Sequence, residues 1–492
     1  MAVSGRGKGA RGYFGLAGLL ILALVPRASP DPIAPERPGI SPERAYWVWH
    51  RRAALTPAED SELRRQGVGT LFWHVGEMEI REGEWFWKTP PLATVTLAPG
   101  FRVVPVVRLA SEAKMPFTPD RVAGLAGSLR VLAAESGEVQ IDFDCPDRLL
   151  ESYASALRGL RSAVPRISIT ALSHWPRLPG FAALARSVDE IMPMFYDMQA
   201  DPTGAGPETP PPPILDPDRV DAAMRTWSVC PKTWRAGLPV FARLTVFDPT
   251  GLSRGQIANW SWDDFCFHKD LRTLAPTRLG VTLFRATADV RVAATPVNAG
   301  EIVVSRFADR SALAQAVVGA TTAGAKGVVF FRLPDDRDPA GASLRDLGVL
   351  ASSGQAHLIL RQSAEEQLEL VNDSPFDLRP RLSGEKGDRD RGYALEIDAP
   401  APVFREALAG DFWRVAAHAN PEAKKPVPTL VPLATRLTFW FSQLRAGASL
   451  QTGLLQLAPD GRLSGVRYRI IPCEGNDEWK SISLSGTPGV PP

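Results

Sequence analysis

Short apolar runs alternating with helical periods recur along most of this chain, and they limit its fold more tightly than any other feature. The runs "AYWVWH", "VGTLFWHV", "RVVPVVRL", "VQIDFD", "RISITAL", "EIMPMFYD", "AGLPVFARL" and "KGVVFFRLP" follow one another from Tyr46. Most are separated by stretches with helical spacing. One opens at Thr56-Pro57-Ala58-Glu59, where Thr56 can cap, Pro57 suits the first helical position and Glu59 completes a capping box. Another starts near Asp147 and carries Leu149, Leu150, Tyr153, Leu157 and Leu160 on one face. Further helices are expected from Pro119, from Phe181 to Val188, from Asp218 to Trp227 and from Ser311 to Ala323. Strand and helix alternating over about 290 residues predict the α/β class and a (β/α)8 TIM barrel, whose usual size is about 250 residues before insertions. An open doubly wound sheet is the alternative, and no glycine-rich phosphate fingerprint supports it. A long polar and aromatic insertion runs from the seventh strand to about Gly300.

Beyond Asp336 the character changes. "HLILRQ", "QLELVND", "GYALEID", "TRLTFWFSQL" and "GVRYRIIP" read as strands without helices between them, so a C-terminal β-sandwich-like domain follows the barrel. The expected layout is a signal peptide or signal anchor over 1–28, a Pro-rich linker over 29–44, the barrel over 45–340 and the β-rich accessory domain over 355–485. Arg6, Lys8 and Arg11 precede an apolar run from Tyr13 to Val25, the layout of an export signal. It is shorter than the ~20 residues of a comfortable span, which leaves both a periplasmic or secreted protein and anchoring in the inner membrane open.

A net charge of +2 over 492 residues supplies no basic field for nucleic acid. Cys145, Cys230, Cys266 and Cys473 show neither C-x-x-C nor His-linked spacing, so zinc is disfavoured and buried free thiols are expected. No metal or other cofactor is predicted.

Chemistry concentrates in "EVQIDFDCPDR". On a strand, Gln140, Asp142 and Asp144 share one side and Val139, Ile141 and Phe143 the other. At the carboxyl end of a barrel strand this places Asp144 at the mouth, with Asp142 and Gln140 successively deeper. The sixth strand ends in Tyr196 and Asp197, the seventh near Arg243, the third near Arg108, and the second in His74, Glu77 and Glu79. His74, Arg108 and Arg243 read as ion-pair or packing partners. Trp73, Trp85, Trp87, Trp175 and Trp260 lie on or near loops that could present a face to a sugar ring.

These motifs resemble glycoside hydrolase family 18, the chitinase-like enzymes. "VQIDFD" is similar to its fourth-strand D-x-x-D-x-D-x-E, "MFYD" to its M-x-Y-D, and "GLPVFAR" to its G-x-P-x-Y-G-R. "GVVFFRLPDD" is similar to its last strand, with Phe331 where the family has Trp. Aligning Asp142 and Asp144 with the motif's last two aspartates would put Pro146 on the proton-donating Glu. The preferred register sets Gln140, Asp142 and Asp144 on the D, D and E positions.

In that register the resemblance implies Asp144 as proton donor, Asp142 raising its pKa, and Tyr196 and Asp197 positioning substrate. Gln140, Arg243 and Phe331 complete the expected binding set, and Glu77 is the reserve second carboxylate. In that family the substrate's own acetamido group is the nucleophile, an exception to the two-carboxylate scheme. The whole chain more closely resembles the bacterial domain of unknown function 3142 family, a name that carries no reaction. The expected activity is hydrolysis or recognition of a carbohydrate or cell-envelope polysaccharide, with N-acetylated sugars among the candidates. A non-catalytic glycan-binding barrel is the alternative. Third comes a D-x-D glycosyltransferase, in which Asp142 and Asp144 would hold Mg2+ or Mn2+.

Overall fold

The structure, a computed structural model, describes residues 42–482 apart from 94–96, 112–115, 202–209, 275–277, 336–340, 364–365, 383–390, 420–426 and 458–464. The export segment and nearly all of the linker lie outside the described residues. Eight parallel strands form the centre: β1 (Glu43–Val48), β2 (Thr70–Arg81), β3 (Arg102–Ala110), β4 (Glu138–Asp142), β5 (Arg166–Leu172), β6 (Glu190–Met194), β7 (Thr233–Pro239) and β8 (Gly327–Phe331). Each pairs with the next, and β1 pairs with both β2 (Tyr46 beside Leu71) and β8 (Ala45 beside Val329), so the sheet closes. Closure rules out the open doubly wound sheet and leaves no barrel edge unpaired.

The two-residue period decides which side chains face in. Ala45, Trp47, Phe72, Val104, Val106, Met192 and Val329 pack inside the barrel. Tyr46, Val139, Ile141, Ile167, Ile169, Ile191 and Phe330 pack outward against the helices. Each strand is thus covered on both faces, which is why the runs read as nearly continuous apolar segments.

The surrounding helices are α1 (Pro57–Arg65), α2 (Pro119–Ser136), α3 (Leu150–Leu160), α4 (Phe181–Arg186), α5 (Pro217–Trp227) and α6 (Arg310–Thr322). Among the described residues no helix follows β2; Glu84–Trp87 folds back antiparallel to it. The α1 capping box forms as expected. The Thr56 hydroxyl accepts the Glu59 N–H at 3.2 Å, and the Glu59 carboxylate accepts the Thr56 N–H at 2.7 Å. Glu59 also holds Arg51, which fixes the loop leaving β1. Thr56→Ala is expected to lower stability by about 1 kcal/mol, the usual loss for a deleted N-cap. Urea midpoints of the two proteins test this; an unchanged midpoint would show that the cap contributes nothing.

The insertion departs from expectation. It is a five-stranded antiparallel sheet, in the order Ser253–Ile257, Ala242–Phe247, Ile302–Phe307, Val281–Ala286, Leu271–Thr273. It has its own core of Leu244, Val246, Trp262, Phe265, Phe284 and Val303. The run "AGLPVFARL" is therefore two strands. The β7–β8 ladder ends at Pro239, which lacks an N–H, and the chain then leaves the barrel. Arg243 consequently belongs to the insertion sheet and not to β7.

Among the described residues the strands of the C-terminal part all pair antiparallel. Leu358–Ser363, Gln367–Asn372 and Ser449–Gln451 form one sheet. Tyr393–Asp398 sits between Arg436–Phe441 and Arg467–Ile471 in a six-stranded one. Alternate residues Leu395, Ile397, Leu437, Phe439 and Ile470 join Leu358 and Leu370 in a shared core. Arg379, from this part, and Arg310 of α6 both bond the fully buried Asp346. All four cysteines are free thiols, with Cys145, Cys266 and Cys473 buried. Among the described residues no helix is long and apolar enough to cross a membrane.

Candidate functional site

A cleft of about 430 Å³ opens at the carboxyl ends of the barrel strands, where the fold directs inward side chains from several strands to one place. Strand β4 supplies its floor. Gln140 is fully buried and points into the barrel, where its Oε1 accepts the Trp47 Nε1–H at 2.6 Å and its amide nitrogen lies 2.9 Å from Met192 Sδ. Its polar atoms are engaged beneath the cleft, and it does not line the wall.

Two residues further along, Asp142 does line it, 9% exposed, and accepts a hydrogen bond from Thr170 Oγ1 at 2.8 Å. Burial pushes the Asp142 carboxyl up to about 6. The Thr170 hydrogen bond pulls it back, the charge of Asp144 raises it, and Arg108 lowers it. Asp144 lies just beyond the strand, on the same wall but 62% exposed, with Arg108 Nη2 at 3.9 Å.

The opposite side is aromatic. Tyr196, half-buried, stacks on Phe331 with ring centres 5.7 Å apart and planes at 17°, and meets Phe241 edge-on. Burial, and then the charges of Asp142, Asp144 and Asp197, hold its phenol well above the ordinary range, so it stays a neutral donor. Trp47 and Trp49 pack their rings edge-on against Phe331 at 6.1 and 5.6 Å. Asp197 also lines the cleft. It adopts φ of 48°, a left-handed conformation that Asp tolerates better than most residues, and is gripped by both Nη atoms of Arg243 at 2.7 and 3.0 Å. Arg243 thus acts through Asp197 without reaching the wall.

Glu77 is not on the wall either. A bulge between His74 and Gly76 brings it into register with Arg108, and Lys88 pairs with it at 3.3 Å. His74 stacks on Trp49 at 4.2 Å, and burial pushes its imidazole down to about 4, so it is neutral near pH 7.

Five of the expected residues therefore share one cleft: Asp142, Asp144, Tyr196, Asp197 and Phe331. The tryptophans expected at the mouth do not reach it. Trp73, Trp85 and Trp175 are core residues, Trp87 packs against the same core, and Trp260 packs in the insertion sheet. Trp47, Trp49, Thr170 and His174 take part instead. The period-two rule that singled out Asp142 reaches three of them, because Ala45, Trp47 and Trp49 share a face of β1 and its extension, and Ser168 and Thr170 a face of β5. His174, on the loop after β5, bonds Asp147 at 2.8 Å, and nothing in the local pattern marks it. Among the described residues no three His, Cys, Asp or Glu side chains come together as metal ligands.

No protein-family model matches the sequence, and none of the curated proteins matches it. Solved structures of similar fold include the C-terminal domain of a putative chitinase from Desulfitobacterium hafniense, at 14% identity and a TM-score of 0.44, covering 63% of this chain and 98% of that one. They also include the spore cortex-lytic enzyme SleL of Bacillus megaterium, at 14% identity and 0.43, covering 61% and 72%. A chitinase from Chromobacterium violaceum is a third, at 13% identity and 0.42, covering 61% and 97%.

Proposed function

We propose that the cleft binds a polysaccharide chain and that Asp142 and Asp144 cleave a glycosidic bond there. The observation that carries this reading is the meeting, in one open cleft, of two carboxylates from the end of β4 with an aromatic side built on Phe331, Tyr196 and Trp49. Aromatic faces bind the apolar faces of sugar rings, and paired carboxyls in unlike surroundings divide into an acid and an ionised partner.

The motif register implies Asp144 as the acid. Burial favours Asp142, which holds its proton to about pH 6. In our reading Asp142, oriented by Thr170, donates its proton to the leaving oxygen as the glycosidic C–O bond breaks, the exposed Asp144 opposes the positive charge that develops on the sugar ring, and a water molecule then bonds to the anomeric carbon and returns a proton to Asp142. Tyr196, kept neutral, donates a hydrogen bond to a substrate oxygen, and the Arg243 grip on Asp197 fixes the end of β6. A substrate carrying an acetamido group would meet the same donors.

Incubation with N-acetylglucosamine oligomers and with glycan chains of bacterial cell walls, read by new reducing ends and by binding, tests the proposal. Turnover by the wild type that is lost in Asp142→Asn and Asp144→Asn is expected. Binding without turnover in all three would make the barrel a glycan-recognition module, and absence of binding would sink the carbohydrate reading.

A further inference from the structure

Arg108 is the next inward position on β3 after Val104 and Val106, and it is where that face emerges at the cleft. Its side chain is 45% exposed, and its ion pair with Asp144 spans 3.9 Å, beyond hydrogen-bond reach. Among the described residues its guanidinium donates no hydrogen bond.

The acids beside it on neighbouring strands are engaged elsewhere. Glu77, in register with it on β2, pairs with Lys88, and Asp142, in register on β4, is bonded to Thr170. Around the rest of the cleft, Asp197 is taken by Arg243, and His174 by Asp147. A planar fork of five N–H donors therefore stands on the wall of a sugar-sized cleft with its hydrogen bonds unmade, the geometry that receives a carboxylate two bonds at a time.

We infer that Arg108 receives a carboxylate carried by the substrate, so that the cleft takes an acidic polysaccharide in preference to a neutral one. This rests on the carbohydrate reading above and narrows its substrate class. The carboxyl belongs either to a uronic acid ring or to an ether-linked acid on an amino sugar; the recognising chemistry is the same.

The test uses the intact protein and four probes: oligogalacturonides, peptide-free cell-wall glycan chains, and each of these with its carboxyls amidated. Affinities are read by calorimetry. At least one carboxylated probe is expected to bind ~10-fold or more tighter than its amidated form, the scale of a charge-assisted pair. Which of the two does so identifies the source of the carboxyl.

Arg108→Met should bring the carboxylated probe down to its amidated counterpart and leave the latter unchanged. Arg108→Lys should recover part of the difference, since it keeps the charge and loses the fork. The comparison of probes on the wild type needs no variant to fold. Equal binding of carboxylated and amidated forms by the wild type, or equal weakening of both by Arg108→Met, overturns the inference alone. Failure of the wild type to bind all four and neutral oligomers as well removes the carbohydrate reading, and this inference with it.

Discussion

Asp142→Asn is expected to stabilise the protein at pH 8, give a far smaller gain at pH 4, and abolish any hydrolysis. The sign follows from the direction of the shift. In the folded protein the Asp142 carboxyl titrates near 6, whereas its ordinary value is 3.8. Between those values the folded state binds more protons than the unfolded one, so the stability contributed by this residue falls as pH rises from about 4 to 6, and the full penalty is present above that. A shift of about two units corresponds to roughly 3 kcal/mol at neutral pH and above.

Asparagine removes the buried charge, nearly preserves the shape, and keeps an oxygen to accept the Thr170 hydroxyl, so the penalty disappears without opening a cavity. Thermal unfolding of both proteins at pH 4 and pH 8 decides the matter. A pH-independent difference would mean that Asp142 is not held neutral by its surroundings, and its role as acid would fall with that. A gain at pH 8 joined to loss of turnover would show the site keeping a destabilising group for its chemistry.

How much of this could be seen in the sequence depends on the range over which the determining physics acts. Period two is local. It placed Val139 and Ile141 toward the helices and Gln140 and Asp142 toward the axis, because each residue's direction is set by its neighbours in the chain. Applied to "AYWVWH" and "RISITAL", it also reaches Trp47, Trp49 and Thr170.

The ranking of tryptophans is not local. Trp73 lies within β2 and Trp175 just after the loop that follows β5, and both rings are fully buried in the barrel's outer core. Arg243 shows a second limit. "PVFARL" keeps a strand-like composition through the point where the chain changes sheet, so only the partner strands reveal that Pro239 ends β7 and Ala242 begins another sheet. The unequal fate of Asp142 and Asp144 is a third case. Two aspartates two residues apart differ because Thr170 and the barrel wall enclose the first while the loop exposes the second. The acid chosen from motif alignment and the acid favoured by burial therefore differ.

The largest expected loss belongs to a buried residue that lines the cleft. Trp47 is 1% exposed, points into the barrel in register with Phe331, and gives its indole N–H to Gln140 Oε1. The fold makes room for it at Gly237 of β7, where a Cβ would lie 2.8 Å from the indole Cη2. Trp47→Ala removes a buried ring, about 3 to 5 kcal/mol in a core that relaxes only partly. It also leaves the fully buried Gln140 carbonyl oxygen without its donor, about 1 kcal/mol or more in addition.

Trp47→Phe separates these contributions, because it retains most of the ring volume and loses the donor. The expected order of urea midpoints at 25 °C is wild type, then Trp47→Phe, then Trp47→Ala, with the alanine variant about 4 to 6 kcal/mol below the wild type. Phe331 loses an edge-on aromatic neighbour in Trp47→Ala, so glycan affinity should fall even where that variant is fully folded, while Trp47→Phe keeps most of it. Equal stability of the two variants would assign the whole effect to the Gln140 hydrogen bond. A loss below about 2 kcal/mol in Trp47→Ala would mean that the interior closes over the cavity. The cleft floor would then not depend on Trp47 for its shape.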